Sequence, residues 1–152
     1  SSSTYDSYKM LEIPEKFEAG LQDYAGIIGL GEAIKYLNNL DFEEIRQHEF
    51  ELNKYVSEEI EKFPQIKIIG PKNPMLRGGI VNFYIENMDM HKIAIMLDET
   101  ANISIRSGQH CVHSWFNSKN IYNSARVSFY FYNTMEEATV FIKNLTKILK
   151  IL

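Results

Sequence analysis

The chain has 152 residues, 45% of them apolar and 24% charged, a composition typical of one globular domain with a core of its own. Its net charge of −4 disfavours nucleic acid or an anionic membrane as the main partner. It holds one cysteine, which cannot form a disulfide within the chain, and no apolar run approaches the roughly 20 residues of a membrane-spanning helix. Residues 1–10 lack a signal-peptide pattern, so we expect a cytoplasmic protein.

The first part of the chain predicts an irregular entry segment and two helices. Residues 1–22 show no clear hydrophobic period. The stretch AGIIGLGEAIKYL then places four apolar residues on one helical stripe: Ile27, Leu30, Ile34 and Leu37. A second, longer helix is predicted to begin after Asp41 and to end before Pro64.

The second part alternates strands and helices. Stretches rich in β-branched and aromatic residues predict strands at residues 66–70, 78–86, 101–107 and 125–133. Asp89 is expected to cap a helix that runs to about Asp98, and a short helical turn is expected near residues 114–116. Thr134 and Glu137 have the spacing of a capping box before the last helix. This order of elements predicts an α+β fold, in which helices cover one face of a small, mostly antiparallel sheet.

The stretch SIRSGQHCVHSW, residues 104–115, contains the single cysteine, Cys111. A free cysteine is more often an inert core residue than a nucleophile. Here a glycine and polar residues surround the thiol, and the predicted strand ends directly before it. Arg106, His110 and His113 are close in sequence, and nearby cations favour the reactive thiolate. The local pattern leaves both an inert and a reactive thiol open.

Arg126 and the histidines are the other candidates for chemistry. Arg126 begins a predicted strand, where it either reaches into solvent or presents its planar fork to a carboxylate. Cys111 with His91, His110 and His113 is a weak zinc pattern, because structural zinc usually needs four regularly spaced ligands, and we predict no metal site. Helix packing explains the glycines of GIIGLGEA better than a phosphate loop, since no strand precedes them.

Several stretches, in order, resemble the C-terminal part of the cysteine desulfurase/selenocysteine lyase family, which are class V, fold-type I transferases that use pyridoxal phosphate. PEKFEAGLQDYAGIIGLGEAIKYL resembles the segment that leaves their large domain, RSGQHC their short cysteine loop, and SARVSFYFYNTMEEATVFIKNL their closing strand and helix. The resemblance runs from about residue 12 to residue 149. It implies that residues 1–22 are an extended lead from a large domain of the same polypeptide. Residues 23–152 would be the small α+β domain of such a transferase.

The resemblance also implies a function. A parent enzyme of this family removes sulfur from L-cysteine, releases L-alanine and keeps a persulfide on its own cysteine, here Cys111, for iron–sulfur cluster assembly or another sulfur-acceptor protein. Pyridoxal phosphate would serve as the electron sink. Arg126 would clamp the substrate carboxylate, Arg106 would steady the loop or the same carboxylate, and His110 would be a helper. A homodimer of the full-length protein is implied, with neither nucleic acid nor membrane as a partner.

Two features depart from the family pattern. The family's cofactor lysine lies in a Ser-x-His-Lys stretch of the large domain, and this sequence contains no such stretch, so the chain alone is expected to be inactive. The family commonly has a threonine after FEAG whose hydroxyl meets the cofactor phosphate of the neighbouring subunit. That position is Leu21 here, which leaves only a backbone N–H of Gly20 or Leu21 for the contact.

Alternative functions remain open at this point. A selenocysteine lyase shares the cysteine loop and differs only in substrate preference. An aminotransferase of the same class, acting on small amino acids, does not need Cys111. Outside the enzymes, a stand-alone sulfur carrier would accept a persulfide on Cys111, and a regulatory ligand-binding domain would be indifferent to that residue.

Overall fold

The computed structural model describes residues 2–152, which fall into two units. The first unit ends at Asp41 and contains a short antiparallel ribbon of β1 (Ser2–Ser3) and β2 (Tyr8–Lys9), a 3₁₀ turn (Glu15–Phe17) and helix α1 (Tyr24–Leu37). The predicted first helix is confirmed. Its apolar stripe is exposed, with Ile27 and Leu30 each about 60% accessible. The predicted boundary between residues 22 and 23 stays a prediction about the parent protein.

The second unit, Phe42–Leu152, is an α+β domain, as the sequence predicts. Its sheet has the strand order β3-β4-β6-β5, and all neighbouring strands are antiparallel. The elements in chain order are α2 (Phe42–Glu61), β3 (Ile66–Ile69), a 3₁₀ turn (Pro74–Leu76), β4 (Ile80–Ile85), α3 (Met90–Ala101), β5 (Arg106–Gly108), α4 (His113–Ser118), β6 (Ser124–Ser128) and α5 (Met135–Leu149). No helix within residues 2–152 is long and apolar enough to cross a membrane.

The sheet has one face that is covered by helices and one face that is open, as its two central strands show. Val81 and Phe83 of β4 and Ala125 and Val127 of β6 are buried in the core. Helices α2, α3 and α5 contribute most of the rest of that core, including Leu52, Val56, Ile93, Leu97, Phe141 and Leu145. Because side chains alternate along a strand, the residues between them point to the other side of the sheet. We call this side the open face; it carries Asn82, Arg106, Ser124 and Arg126.

The predicted strand at residues 101–107 is wrong over most of its length. Helix α3 continues through Ala101 and ends at Asn102, whose left-handed φ of +52° and N–H bond to Asp98 O form the helix cap. The strand begins only at Arg106. Ile103 and Ile105 still pack against the core. Their alternation with polar residues therefore predicted burial correctly, although neither residue lies in a strand.

The predicted strand at residues 125–133 also ends too late. Strand β6 stops at Ser128. Residues 130–133 form a turn, closed by the hydrogen bond from Asn133 N–H to Tyr130 O at 2.9 Å. The aromatic residues there favour a strand in isolation, but Asn133 Oδ1 also accepts from Tyr130 N–H, which stabilises the turn.

Two of the predicted helix caps are confirmed. Asp89 accepts a hydrogen bond from His91 N–H at the start of α3. Thr134 and Glu137 form both bonds of a capping box at the start of α5. The short helix predicted near residue 115 is α4.

A buried amide ties the loop before β4 to helix α2. Asn53 is fully buried, and its Nδ2 donates to Gly78 O and, at 3.0 Å, to Ile80 O. Its Oδ1 accepts from Ser57 Oγ at 3.0 Å and from Arg77 Nη2 at 3.1 Å. One side chain therefore serves several groups that would otherwise be buried without partners.

We expect Asn53→Leu to lower the free energy of unfolding of the chain by about 2–4 kcal/mol, because it removes the donor to two carbonyls and one of the acceptors of the Arg77 guanidinium. Urea unfolding followed by circular dichroism measures this loss. Lys54→Ala, on the exposed side of the same helix, is the control and should change stability by less than about 0.5 kcal/mol. Equal effects of the two substitutions would contradict the role given to Asn53.

Candidate active site

Cys111 lies in a tight turn that follows β5. The turn spans residues 109–112 and is closed by the hydrogen bond from Val112 N–H to Gln109 O at 2.9 Å. Its central residues, His110 and Cys111, have left-handed φ values of +50° and +63°. Two successive positive φ values are typical of a type I′ turn, which favours Asn and Gly, so each costs on the order of 1 kcal/mol or more here. The strained backbone holds the thiol in an exposed position.

Two arginines lie side by side on the open face next to this turn. The register of β5 and β6 places Arg106 directly opposite Arg126. Arg106 Nη2 lies 3.9 Å from Cys111 Sγ. Within residues 2–152, no acidic side chain forms an ion pair with either arginine. Opposed like charges repel, so this pair makes a positively charged surface beside the thiol that favours an anionic ligand.

The guanidinium of Arg126 has a hydrogen-bond donor without a partner in the described part of the chain. Its side chain is half-buried, and Nε is buried without a hydrogen-bond partner in the described part of the chain. A desolvated cation without a counter-ion is costly in a finished structure. The planar fork matches the two oxygens of a carboxylate, which makes Arg126 well suited to bind one.

His110 is an uncharged residue at neutral pH. Its Nε2 lies 2.9 Å from the hydroxyl of buried Ser124, and that hydroxyl lies 3.4 Å from Gly108 O. Both contacts are satisfied when Ser124 donates to the carbonyl and His110 Nε2–H donates to Ser124, which leaves a lone pair on Nδ1. Burial lowers the pKa of His110, and the charges of Arg126 and Arg106 lower it further.

The lowered pKa of His110 predicts a loss of stability in acid. In the unfolded chain this histidine takes up a proton near its ordinary pKa of 6.5, whereas in the folded chain it does so only at lower pH. Unfolding is therefore coupled to proton uptake, and the free energy of unfolding decreases as the pH drops below 6.5. Urea midpoints measured from roughly pH 7.5 to 5.5 should fall less steeply for His110→Asn, since Asn tolerates the left-handed backbone. Parallel curves would contradict the assignment.

Side-chain hydrogen bonds fix both ends of the cysteine loop. Ser107 Oγ lies 2.6 Å from His91 Nδ1, which ties β5 to helix α3. Gln109 Nε2 donates to Tyr122 O at 2.9 Å, on the approach to β6. His91 therefore supports the loop, and no group of three His, Cys, Asp or Glu side chains in residues 2–152 is arranged to hold a metal ion.

The structure brings four of the predicted site residues together: Arg106, His110, Cys111 and Arg126 lie around the β5 turn and the adjoining part of β6. The other two, Gly20 and Leu21, lie in the first unit, where both are exposed and Gly20 has a left-handed φ of +74°. The roles assigned to all six stay predictions.

Sequence reasoning missed two polar residues of the open face, Ser124 and Asn82. The signal for Asn82 was present, because it is the one amide within the apolar strand IVNFYI and occupies an outward position of the alternation. Nothing in the sequence around Ser124 marks it, since its contact with His110 depends on the turn geometry.

Comparison with known proteins identifies the protein family of this chain. The family model for class-V aminotransferases matches residues 1–141. A probable cysteine desulfurase from Halalkalibacterium halodurans is 38% identical over 143 residues, which cover 94% of this chain and 34% of the relative. The chain therefore belongs to the class-V aminotransferase family, and it spans about a third of the length of that relative.

Solved structures narrow the comparison within that family. The apo structure of a cysteine desulfurase from Thermococcus onnurineus NA1 has a TM-score of 0.84 at 32% identity and covers 100% of this chain and 38% of its own. The cysteine desulfurase CsdA from Escherichia coli shares the fold, with a TM-score of 0.84 at 22% identity over 100% of this chain and 37% of its own. The α+β fold predicted from the sequence is thus the fold found in cysteine desulfurases.

Proposed function

We propose that the chain is the C-terminal domain of a pyridoxal-phosphate-dependent cysteine desulfurase, the parent enzyme, which converts L-cysteine to L-alanine and keeps the sulfur as a persulfide on Cys111. The observation that carries the proposal is the exposed thiol 3.9 Å from Arg106, beside an Arg126 that has no acidic partner in the described chain. A nucleophile next to a carboxylate-binding fork suits an amino-acid substrate with a reactive sulfur. The similarity to cysteine desulfurases supports the same substrate.

Cys111 is the nucleophile in this proposal. Its thiolate attacks the sulfur of L-cysteine, a sulfur–sulfur bond forms, and the carbon–sulfur bond of the substrate breaks. The electron pair of the broken bond stays with the substrate carbon, which takes up a proton to become alanine. Arg106 lies beside the sulfur, and the exposed turn lets the resulting persulfide reach an acceptor.

Arg126 holds the substrate carboxylate, and Arg106 adds positive charge on the adjacent strand. A bidentate arginine fixes the direction of the amino acid as well as its position. This orientation brings the substrate sulfur toward the turn that carries Cys111, which lowers the entropic part of the barrier.

His110 is the helper next to the nucleophile. Burial and the two arginines lower its pKa and so disfavour the charged imidazolium, and Nε2 is hydrogen-bonded to Ser124. Nδ1 is buried without a hydrogen-bond partner in the described part of the chain, whereas the thiol is exposed, so His110 would help by holding the turn of Cys111 against Ser124.

Pyridoxal phosphate supplies the electron sink when it is bound in the parent enzyme. This chain has no Ser-x-His-Lys stretch, so we assign the cofactor lysine to the rest of the parent polypeptide. The residues of this chain that would meet the cofactor are Gly20 and Leu21. Gly20 has a left-handed φ of +74° with open space around its Cβ position, which suits close approach of a phosphate to the backbone N–H groups.

The wider setting follows from the same proposal. The persulfide would pass to a sulfur-acceptor protein, for iron–sulfur cluster assembly or another sulfur transfer. A homodimer of the full-length enzyme and a cytoplasmic location stay predictions.

The test is product analysis of the full-length enzyme supplied with pyridoxal phosphate and L-cysteine. We expect alanine in solution, and a mass increase of one sulfur atom on the peptide that contains Cys111. An enzyme that forms no alanine and transfers an amino group instead would be an aminotransferase of the same class. Faster turnover of selenocysteine than of cysteine would indicate a selenocysteine lyase.

A further inference from the structure

Two buried polar atoms on the open face lack partners, and they belong to residues that lie directly opposite each other. Asn82 Oδ1 in β4 and Arg126 Nε in β6 are both buried without a hydrogen bond in the described part of the chain. The register of β4 and β6 pairs Asn82 with Arg126. The residues before and after each of them in its strand are buried in the core. Because side chains alternate along a strand, Asn82 and Arg126 both lie on the open face.

The two orphan atoms are complementary. Asn82 Oδ1 is an acceptor and Arg126 Nε carries a donor hydrogen. Residues directly opposite in an antiparallel pair have Cβ atoms about 4.5–5.5 Å apart, so the two side chains are direct neighbours on the open face. On the other side of Arg126 the paired residue is Arg106, which offers only donors. His110 Nδ1 is a further buried atom without a partner, but it lies in the turn after β5, whereas Asn82 is the acceptor that the register places directly opposite Arg126.

We propose that Asn82 is a positioning residue for the substrate carboxylate and acts through Arg126. When the carboxylate is bound, Asn82 Oδ1 accepts a hydrogen bond from Arg126 Nε and fixes the plane of the guanidinium. The two terminal nitrogens, Nη1 and Nη2, then face the carboxylate together. This inference rests on the carboxylate-binding role proposed for Arg126 above.

The neutral amide is the chemical reason for an asparagine at this position. It is a hydrogen-bond acceptor that leaves the charge of Arg126 intact. An aspartate of nearly the same shape would form an ion pair with the arginine and compete with the substrate carboxylate. Asparagine and aspartate should therefore differ strongly in substrate affinity, although they differ little in size.

The test compares KM and kcat for L-cysteine in variants of the full-length enzyme. We expect Asn82→Ala to raise KM about three- to tenfold with kcat within about twofold, the effect of one hydrogen bond that orients a binding group. Asn82→Asp should raise KM about 100-fold, because it neutralises the binding site. Asn87→Asp adds the same charge in the exposed turn after β4 and should leave KM unchanged.

A double-variant cycle separates this role from a structural one. If Asn82 acts through Arg126, Asn82→Ala should change KM by less than about twofold in an Arg126→Lys background. A full effect of Asn82→Ala in that background would overturn the inference and leave the carboxylate-binding role of Arg126 in place. An Arg126→Lys enzyme with unchanged KM would overturn both. If circular dichroism shows that Asn82→Asp does not fold, the alanine cycle decides the question alone.

Discussion

Alanine release from L-cysteine should fall about a thousandfold or more in the Cys111→Ala form of the full-length enzyme, because Cys111 is the residue proposed to accept the substrate sulfur. Cys111 is the only cysteine of the chain and is exposed in its turn. Cys111→Ser should be as inactive as Cys111→Ala, since a hydroxyl is a poor nucleophile toward sulfur at neutral pH. The rate of alanine formation under saturating L-cysteine and pyridoxal phosphate measures the loss.

Cys111→Gly makes the test independent of folding. The residue has a left-handed φ of +63°, which glycine adopts without strain. We therefore expect this variant to be inactive and yet more stable than the wild type by about 1 kcal/mol in urea unfolding. An active Cys111→Ala enzyme would remove Cys111 from the chemistry and favour an aminotransferase. A wild type that forms no alanine, but accepts a persulfide from another enzyme, would indicate a sulfur carrier.

The same turn shows where sequence reasoning succeeds and where it fails. Its glycine, polar neighbours and cations left an inert and a reactive thiol open, and the structure places Cys111 at the surface. Its conformation was not predictable, because His-Cys is not a typical sequence for a turn with two left-handed residues. Local residue preferences disfavour a strained turn, so they do not predict one.

The pairing of Arg106 with Arg126 depends on information that is not local. It requires that β5 joins the sheet beside β6 in one particular register, and a shift by one residue would place one arginine in the core. The predicted strand at residues 101–107 was too long to fix that register. The family resemblance named both arginines, whereas their opposition and their lack of acidic partners within residues 2–152 come from the structure.

The helices were predicted more accurately than the strands for a physical reason. Their starts depend on side chains close in sequence, such as Asp89, and Thr134 with Glu137, which cap their own helices. The ends of β5 and β6 depend on a neighbouring strand and on turns that compete with it. The central role of Asn53 was also unpredictable, because its partners Arg77, Gly78 and Ile80, at and before the start of β4, lie more than 20 residues away.

Replacing Arg126 by lysine in the full-length enzyme should raise KM for L-cysteine about 10- to 100-fold. Lysine keeps the charge but presents a point donor where arginine presents a fork, so one of two parallel hydrogen bonds to the carboxylate is lost. In its proposed role the fork also orients the substrate, so we expect a smaller decrease in kcat. Steady-state alanine formation over a range of L-cysteine concentrations measures both constants.

Arg46→Lys is the matched control. Arg46 is exposed on α2, where it pairs with Glu43, so the same substitution there should leave both constants unchanged. Ionic strength gives a second comparison. Arg126 is half-buried and its ion pair with a carboxylate would be poorly screened, so KM should rise only slightly with salt. A KM that rises steeply with salt and is unaffected by Arg126→Lys would mean that the substrate is attracted by the general positive charge of the open face. In that case no fork-shaped contact at Arg126 would be needed to explain binding.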